Sequence, residues 1–207
     1  MIYTDRASAG RALGGHLENL HATYPLLLGL PRGGVPVAAA AREIIGGDLD
    51  ILLVRKLGVP WQPELAMGAI GEGGVRVLNQ NVLAHIGISP QEFAEIEDVE
   101  RVELERRRLV WRGDTKPIPL DGRDVVIVDD GMATGATVVV ACRVARLYQP
   151  ESLVVAVPVS SAEALRRVAA EADQVVCPLV PRTLGGVGTV YEDFHQLEDD
   201  EVTALLA

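Results

Sequence analysis

Apolar residues along the chain recur in two periods, and the switches between them mark repeated strand–turn–helix units. Val125-Val126-Ile127-Val128 is a run of four β-branched residues, the mark of a strand covered on both faces, as in a parallel sheet. From Ala136 to Tyr148 the spacing turns helical, with Val139, Val140, Val144 and Leu147 on the apolar side. Residues 5 to 22 carry Ala9, Leu13, Leu17 and Leu20 at helical intervals, which predicts a helix on the sheet edge. Pro25 to Leu30 reads as a short strand, Pro31-Arg32-Gly33-Gly34-Val35-Pro36 as a glycine turn, and Val37 to Ile45 as an alanine-rich helix. Leu49 to Val54 reads as another strand, ending in Arg55-Lys56. Strand Leu153 to Val157, helix Ala162 to Ala170 and short strand Gln174 to Cys177 follow the central unit. Strands and helices in this alternation predict an α/β fold with a mostly parallel sheet flanked by helices.

Other stretches break the alternation. Leu57 to Leu78 is glycine-rich, with two prolines, Trp61 and only short β-like pieces at Ala69-Ile70 and Val75-Arg76-Val77. Such an insertion is either a lid over a site or a plain surface hairpin. Ser89-Pro90-Gln91-Glu92 is a capping box with proline at the first helical position, so a helix should run to about Trp111. Its apolar stripe is irregular (Phe93, Ile96, Val99, Val102, Leu109), and Arg101 and Arg106-Arg107-Arg108 alternate with Glu97, Glu100, Glu103 and Glu105. Interleaved signs favour a salt-bridged solvent face over a nucleic-acid patch. Prolines mark a loop between Gly113 and Gly122, and prolines and glycines break regularity from Pro178 to Gly188. Glu198-Asp199-Asp200-Glu201 suits the start of a last helix, where acids meet the positive end of the dipole.

Composition narrows the partners. With 207 residues and 48% hydrophobic content the chain can bury a substantial core. A net charge of −10 argues against general nucleic-acid affinity, which rests on neutralising phosphates. Of the nineteen basic residues only Lys56 and Lys116 are lysines; genomic composition explains the arginine bias. No apolar run approaches the ~20 residues that span a bilayer, so no membrane role is expected. Met1 to Arg6 lacks the basic-then-apolar pattern of a leader. Cys142 and Cys177 lie in apolar surroundings without metal-ligand spacing and suit reduced thiols. The expected compartment is cytoplasmic. His16, His21, His85 and His195 share no metal spacing.

The candidate chemistry sits where the central strand ends. Asp129 and Asp130 follow it, then Gly131-Met132-Ala133-Thr134-Gly135, then the helix starting at Ala136-Thr137. The first amides of a helix lack intrahelical partners and the dipole adds positive potential, so that start is a ready anion site. Thr134 and Thr137 can add hydroxyl donors. Carboxylates beside an anion cradle suit a ligand with a phosphate near a vicinal diol, such as a ribose 5-phosphate. Ligands of open α/β sheets bind beyond the carboxyl ends of the strands, which brings in Arg32 and Arg55-Lys56. Alone, Arg32 reads sooner as the partner of a surface acid, and Lys56 as a solvated strand end; beside the Asp129-Asp130 loop the functional reading of both is preferred.

Val125 to Thr137 resembles the 5-phosphoribosyl 1-pyrophosphate (PRPP) binding motif of type I phosphoribosyltransferases: four apolar residues, two acids, a loop with Thr-Gly, and a terminal Thr. The resemblance implies a Rossmann-like core of about 20–175 within one phosphoribosyltransferase domain spanning 1–207. It adds a flexible hairpin of about 57–78 that closes over substrate, and a C-terminal hood of about 176–207. It also implies transfer of 5-phosphoribose from PRPP to a nucleobase or other nitrogenous acceptor, with release of pyrophosphate. Asp129 and Asp130 would hold the ribose diol, and Gly131 to Thr137 the 5-phosphate. Arg32, Gly33 and Gly34 would form the pyrophosphate turn, often with a non-proline cis peptide. Arg55 and Lys56 would flank the leaving group. In the hood, Leu184 would stack on the acceptor, and Asp193 of Tyr191-Glu192-Asp193-Phe194 would touch it. The implied cofactor is Mg²⁺, held mainly by substrate and water oxygens, with Asp129 and Asp130 as the protein carboxylates able to join. Family analogy favours a homodimer. A rival reading is a PRPP-binding regulator without turnover, which predicts a basic surface outside the pocket. No G-x-x-x-x-G-K-[ST] or G-x-G-x-x-G turn opens a helix, so a nucleotide hydrolase fits poorly.

Overall fold

Strand β6 (Asp124–Val128) is the middle of a five-stranded sheet in a computed structural model that describes residues 2–18, 20 and 24–206. The order is β2 (Asp48–Ile51), β1 (Leu26–Gly29), β6, β7 (Ser152–Ala156), β8 (Gln174–Val176), and every pairing is parallel. The β-branched run is buried on both faces, as its pattern predicts. Val125 and Ile127 join a cluster with Leu26, Leu28 and helix α5 (Ala136–Arg146). Val126 and Val128 join the opposite cluster with Leu27, α1 (Arg6–Leu17) and α2 (Gly34–Ile45). Burial of this kind contributes about 25 cal/mol per Å² of apolar surface, so the two clusters fix the sheet between its helical layers.

A second, antiparallel sheet stands beyond the end of β2: β3 (Val54–Val59), β4 (Gln62–Gly71) and β5 (Arg76–Leu78). Here the structure corrects two expectations. The strand expected over Leu49 to Val54 stops at Ile51, and Arg55-Lys56 lie inside β3 rather than capping a strand of the parallel sheet. The glycine-rich stretch 57–78 is regular for most of its length. Its glycines serve close strand contact: a Cβ on Gly68 would stand 2.5 Å from the Val77 carbonyl oxygen, and one on Gly71 2.7 Å from Val144 of α5. Composition reads as loop; tight packing is what it encodes.

The capping box at Ser89 forms as expected, with the Ser89 hydroxyl accepting from the Glu92 N–H and the Glu92 carboxylate from the Ser89 N–H. It opens α4 (Pro90–Trp111), preceded by α3 (Gln80–Ile86), a short helix the apolar pattern did not reveal. Arg112 ends α4 by donating to Asp50 (2.8 Å), Glu72 (2.8 Å) and the Ile51 carbonyl (2.9 Å). This buried cluster ties α4 to both sheets. Helix α6 (Ala162–Val168) covers α5, and α7 (Asp199–Leu206) starts on its acids as predicted. The first helix spans Arg6–Leu17, shorter than the expected 5–22; residues 19 and 21–22, with His21, lie outside the described residues. Among the described residues no helix is long and apolar enough to cross a membrane. Cys142 is buried, its thiol pushed up to about 12 by burial, and half-buried Cys177 is also free.

Candidate functional site

The β6 strand releases the chain at Val128, leaving Asp129 and Asp130 at the carboxyl edge of the sheet. Asp129 Oδ1 accepts the Asp130 N–H at 2.9 Å, which turns the backbone into the loop. The loop is anchored on its far side: Met132 N–H donates to the Val159 carbonyl, and Ser161 N–H to the Met132 carbonyl, both at 3.0 Å. Gly135 then enters the left-handed region (φ +73°) as the N-cap of α5, a conformation that glycine adopts without steric cost. It brings no capping side chain. Residues 129 and 131–138 therefore enclose a cup of about 110 Å³ at a helix start whose amides can donate to an anion.

The turn after β1 abuts this edge. The Pro31-Arg32 peptide is cis, the feature expected from the resemblance. Gly33 and Gly34 permit the approach: a Cβ on Gly33 would lie 1.9 Å from Asp130 Oδ2, and one on Gly34 2.3 Å from the Val128 carbonyl oxygen. The turn thus sits directly against the strand that carries both carboxylates.

The two acids are not equivalent. Asp130 Oδ2 accepts from Arg6 Nε at 2.8 Å, and the Tyr191 hydroxyl donates to the Asp130 carbonyl at 2.6 Å. Arg6 also donates to the His195 carbonyl (2.9 Å), and its guanidinium lies 3.9 Å from the Phe194 ring centre. Burial holds the Asp130 carboxyl above its ordinary value, and Arg6 opposes that rise. Asp129 is pushed well above its ordinary value by burial first and by the adjacent Asp130 charge second.

A larger cavity of about 540 Å³ opens beside the cup, and Thr137 lines both. Pro31, Arg55 and Lys56 line it, and Glu100, Arg107 and Trp111 of α4 close it. Arg55 donates to Glu100 at 2.6 Å, and Lys56 Nζ lies 3.6 Å from Glu64. Arg32 points elsewhere, donating to the Leu197 carbonyl at 2.6 Å with Asp199 3.4 Å away. The pairing of Arg32 with an acid, one of its two sequence readings, is therefore realised here.

The fold brings Gly33, Gly34, Asp129, Asp130 and Gly131 to Thr137 to one edge, with Arg55 and Lys56 in the adjoining cavity. The two hood residues stand apart. Leu184 packs on the cluster of Tyr3, Val159, Val190 and Tyr191. Asp193 is exposed and accepts from the His195 N–H and meets its ring Nδ1, each at 3.0 Å. Neither lines the cup or the larger cavity. Sequence reading missed Arg6, Tyr191, Arg107 and Trp111, whose contacts at the site are long-range and leave no local signature.

Comparison with known proteins places the chain in a family. The model of the family described as "Phosphoribosyl transferase domain" matches residues 3–191. The chain belongs to that family. It is 47% identical over 205 residues to a Mycobacterium tuberculosis H37Rv protein named "Putative phosphoribosyl transferase Rv0571c", covering 99% of this chain and 46% of that one. The chain thus spans about half the length of the curated relatives it matches. The crystal structure of TT1426 from Thermus thermophilus superposes with a TM-score of 0.88 at 45% identity, covering 100% of this chain and 98% of that one. The AQ2163 protein of Aquifex aeolicus shares the fold at a TM-score of 0.52 and 14% identity, over 88% of this chain and 78% of that one.

Proposed function

We propose that this chain is a Mg²⁺-dependent phosphoribosyltransferase that moves 5-phosphoribose from PRPP to a nitrogenous acceptor, such as a nucleobase, and releases pyrophosphate. The observation that carries the reading is that Asp129 lines one cup with a helix start that has no capping side chain, while Asp130 stands beside it at the same strand end. In the transfer, the bond from ribose C1 to a pyrophosphate oxygen breaks, and a bond from C1 to the acceptor nitrogen forms. Positive charge develops on the ribose and negative charge on the leaving group.

The residues divide this work. The amides and hydroxyls of Gly131 to Thr137 hold the 5-phosphate. Asp129, which among the described residues pairs with no cationic side chain, accepts from the ribose hydroxyls and lies on the side where the cation grows. Asp130, held by Arg6, supports that field and fixes the strand end. Such groups act by electrostatic preorganisation rather than proton transfer. The amides of Gly33 and Gly34 and the cations of Arg32, Arg55 and Lys56 receive the pyrophosphate. Arg32 must leave Leu197 and Asp199 to do so.

Among the described residues no three His, Cys or acidic side chains converge on one point as a metal cage. The hard oxygens of Asp129 and Asp130 suit a Mg²⁺ held otherwise by substrate and water. When bound, that ion neutralises charge on the pyrophosphate. The β3–β5 sheet, covering the cavity beside the cup, excludes water from the activated sugar. We take 1–207 as one domain, with 57–78 as the hairpin that closes over substrate, 176–207 as the hood, and Leu184 and Asp193 as acceptor contacts.

Calorimetric titration with PRPP and Mg²⁺ tests the reading, on the wild type, Asp129→Asn, and Asp129→Asn/Asp130→Asn. Saturable binding that disappears in both variants, with pyrophosphate released on adding an acceptor, is the expected result. Absence of binding by folded wild type sinks the proposal. Binding without release from any purine, pyrimidine or amine acceptor favours the regulator. That reading needs a basic surface, whereas Arg106, Arg107 and Arg108 are each tied to a glutamate.

A further inference from the structure

Helix α4 buries Glu97, Leu104 and Trp111 on one side and holds apolar side chains in water on the other. Val99 is 68%, Val102 72% and Leu109 57% exposed; Trp61, at the β3–β4 turn, is 64% exposed. Large contiguous apolar patches on a soluble surface mark interaction sites. Glu95, Val99, Val102, Arg106 and Leu109 follow one another at steps of four and three. The spacing averages the 3.5 residues by which one helix presents a seam to another, with Val99, Val102 and Leu109 as its apolar members and Glu95 and Arg106 as charged ones. Beside the seam, Trp61, Ile88 and Ile96 line an apolar groove of about 360 Å³.

Charge along the same helix is divided end to end. Its first half carries Glu92, Glu95, Glu97, Asp98 and Glu100 and no base. Its second half carries Arg101, Arg106, Arg107 and Arg108 against Glu103 and Glu105. We propose that the exposed seam of α4 docks a second copy of this chain, with the two helices antiparallel about a twofold axis near Val102.

A twofold contact must be self-complementary, because the same patch serves both partners. The antiparallel arrangement lays the acidic half of each helix on the basic half of the other. Asp98 and Arg106 lie equally far on either side of Val102, so Arg106 of one copy, half exposed beside its own Glu103, is also presented to Asp98 of the other. Leu109 of one copy falls beside Glu95 of the other, over the groove that Trp61 lines. A parallel arrangement would set acid on acid and base on base, and a uniformly acidic or basic partner would be repelled by one half. Only a partner with the same divided charge, in reverse, suits the whole seam.

The test is sedimentation equilibrium on the intact chain with Asp98→Arg, Arg106→Glu, the double reversal, and Val102→Glu. Wild type is expected to be a dimer. Each single reversal and Val102→Glu should raise its dissociation constant about tenfold or more, since like charges set face to face cost several kcal/mol. The double reversal restores opposite signs and should return to within about threefold of wild type. These side chains are exposed, so circular dichroism spectra at 25 °C should match wild type, while melting temperatures fall with the lost association; if one exposed variant fails to fold, the others still decide the matter. A wild type that is monomeric, a dimer indifferent to Val102→Glu, or a double reversal as weak as the singles overturns the proposal.

Discussion

Arg6 Nε stands 2.8 Å from Asp130 Oδ2, joining the first helix to the end of the central strand across 124 residues of sequence. The side chains are only 10% and 14% exposed. Removing one partner of a buried pair leaves an uncompensated charge, a loss of about 3–5 kcal/mol. Arg6→Met is therefore expected to lower the urea unfolding free energy at pH 7 by about 3 kcal/mol. The deficit should shrink on acidification, as protonation neutralises Asp130, and Asp130→Asn in the same chain should recover part of it. Additive single and double variants would show that the pair is not coupled.

Asp129 predicts the opposite sign. Its folded pKa is raised above the ordinary 3.8, by burial and by Asp130. A raised carboxylate binds more protons folded than unfolded, so its ionisation opposes folding as pH rises above the unfolded value. That opposition is absent below about pH 4 and complete once pH exceeds the raised folded pKa. Asp129→Asn should thus stabilise the protein at pH 7, within the ~0.5–2 kcal/mol typical of stabilising substitutions, while PRPP binding is lost. The stability gain should fade toward pH 4. Thermal melts of both proteins across pH 4 to 8 measure it, and a variant less stable at pH 7 contradicts it.

Gly33 and Gly34 differ in what an added methyl group would meet. At Gly34 the obstacle is the backbone carbonyl of Val128, 2.3 Å away; at Gly33 it is the Asp130 side chain, 1.9 Å away. A carbonyl inside a sheet ladder cannot swing aside. Gly34→Ala should destabilise by about 2–3 kcal/mol, in the range of overpacked cores. Gly33→Ala should cost a similar amount by a different route, displacing Asp130 from Arg6, and should also weaken PRPP binding about tenfold. Denaturation and calorimetry on both variants separate the two effects.

Arg112 is almost fully buried between Asp50 and Glu72. Burial raises the Glu72 carboxyl despite the pull of Arg112. Arg112→Met would strand two acids and free the end of α4, with an expected loss of about 3–5 kcal/mol. Hydrogen exchange should show the last turn of α4 opening first. Unchanged protection there would mean the cluster does not anchor the helix.

The central unit was legible because each of its signals is local. A β-branched run, two acids, a glycine loop and a helical apolar stripe are contiguous in sequence, and the structure has them as β6, the cup and α5. The capping box at Ser89 was legible for the same reason. Less was visible where composition and packing disagree. Glycines in 57–78 suggest a loop, but they allow close strand contact in a second sheet, and β2 ends three residues before the Val54 that the apolar run suggests.

Sequence alone determined the α/β order, the pair Asp129-Asp130 and the glycine loop that opens α5, since periodicity and loop chemistry act over neighbouring residues. Only the tertiary structure decided that Asp130 belongs to Arg6, that Arg32 turns to Leu197 and Asp199, and that Trp111 closes a cavity beside Lys56. The choice of partner for a long charged side chain depends on which elements the core brings together. That is fixed by burial summed over the whole chain, and no single stretch of sequence contains it.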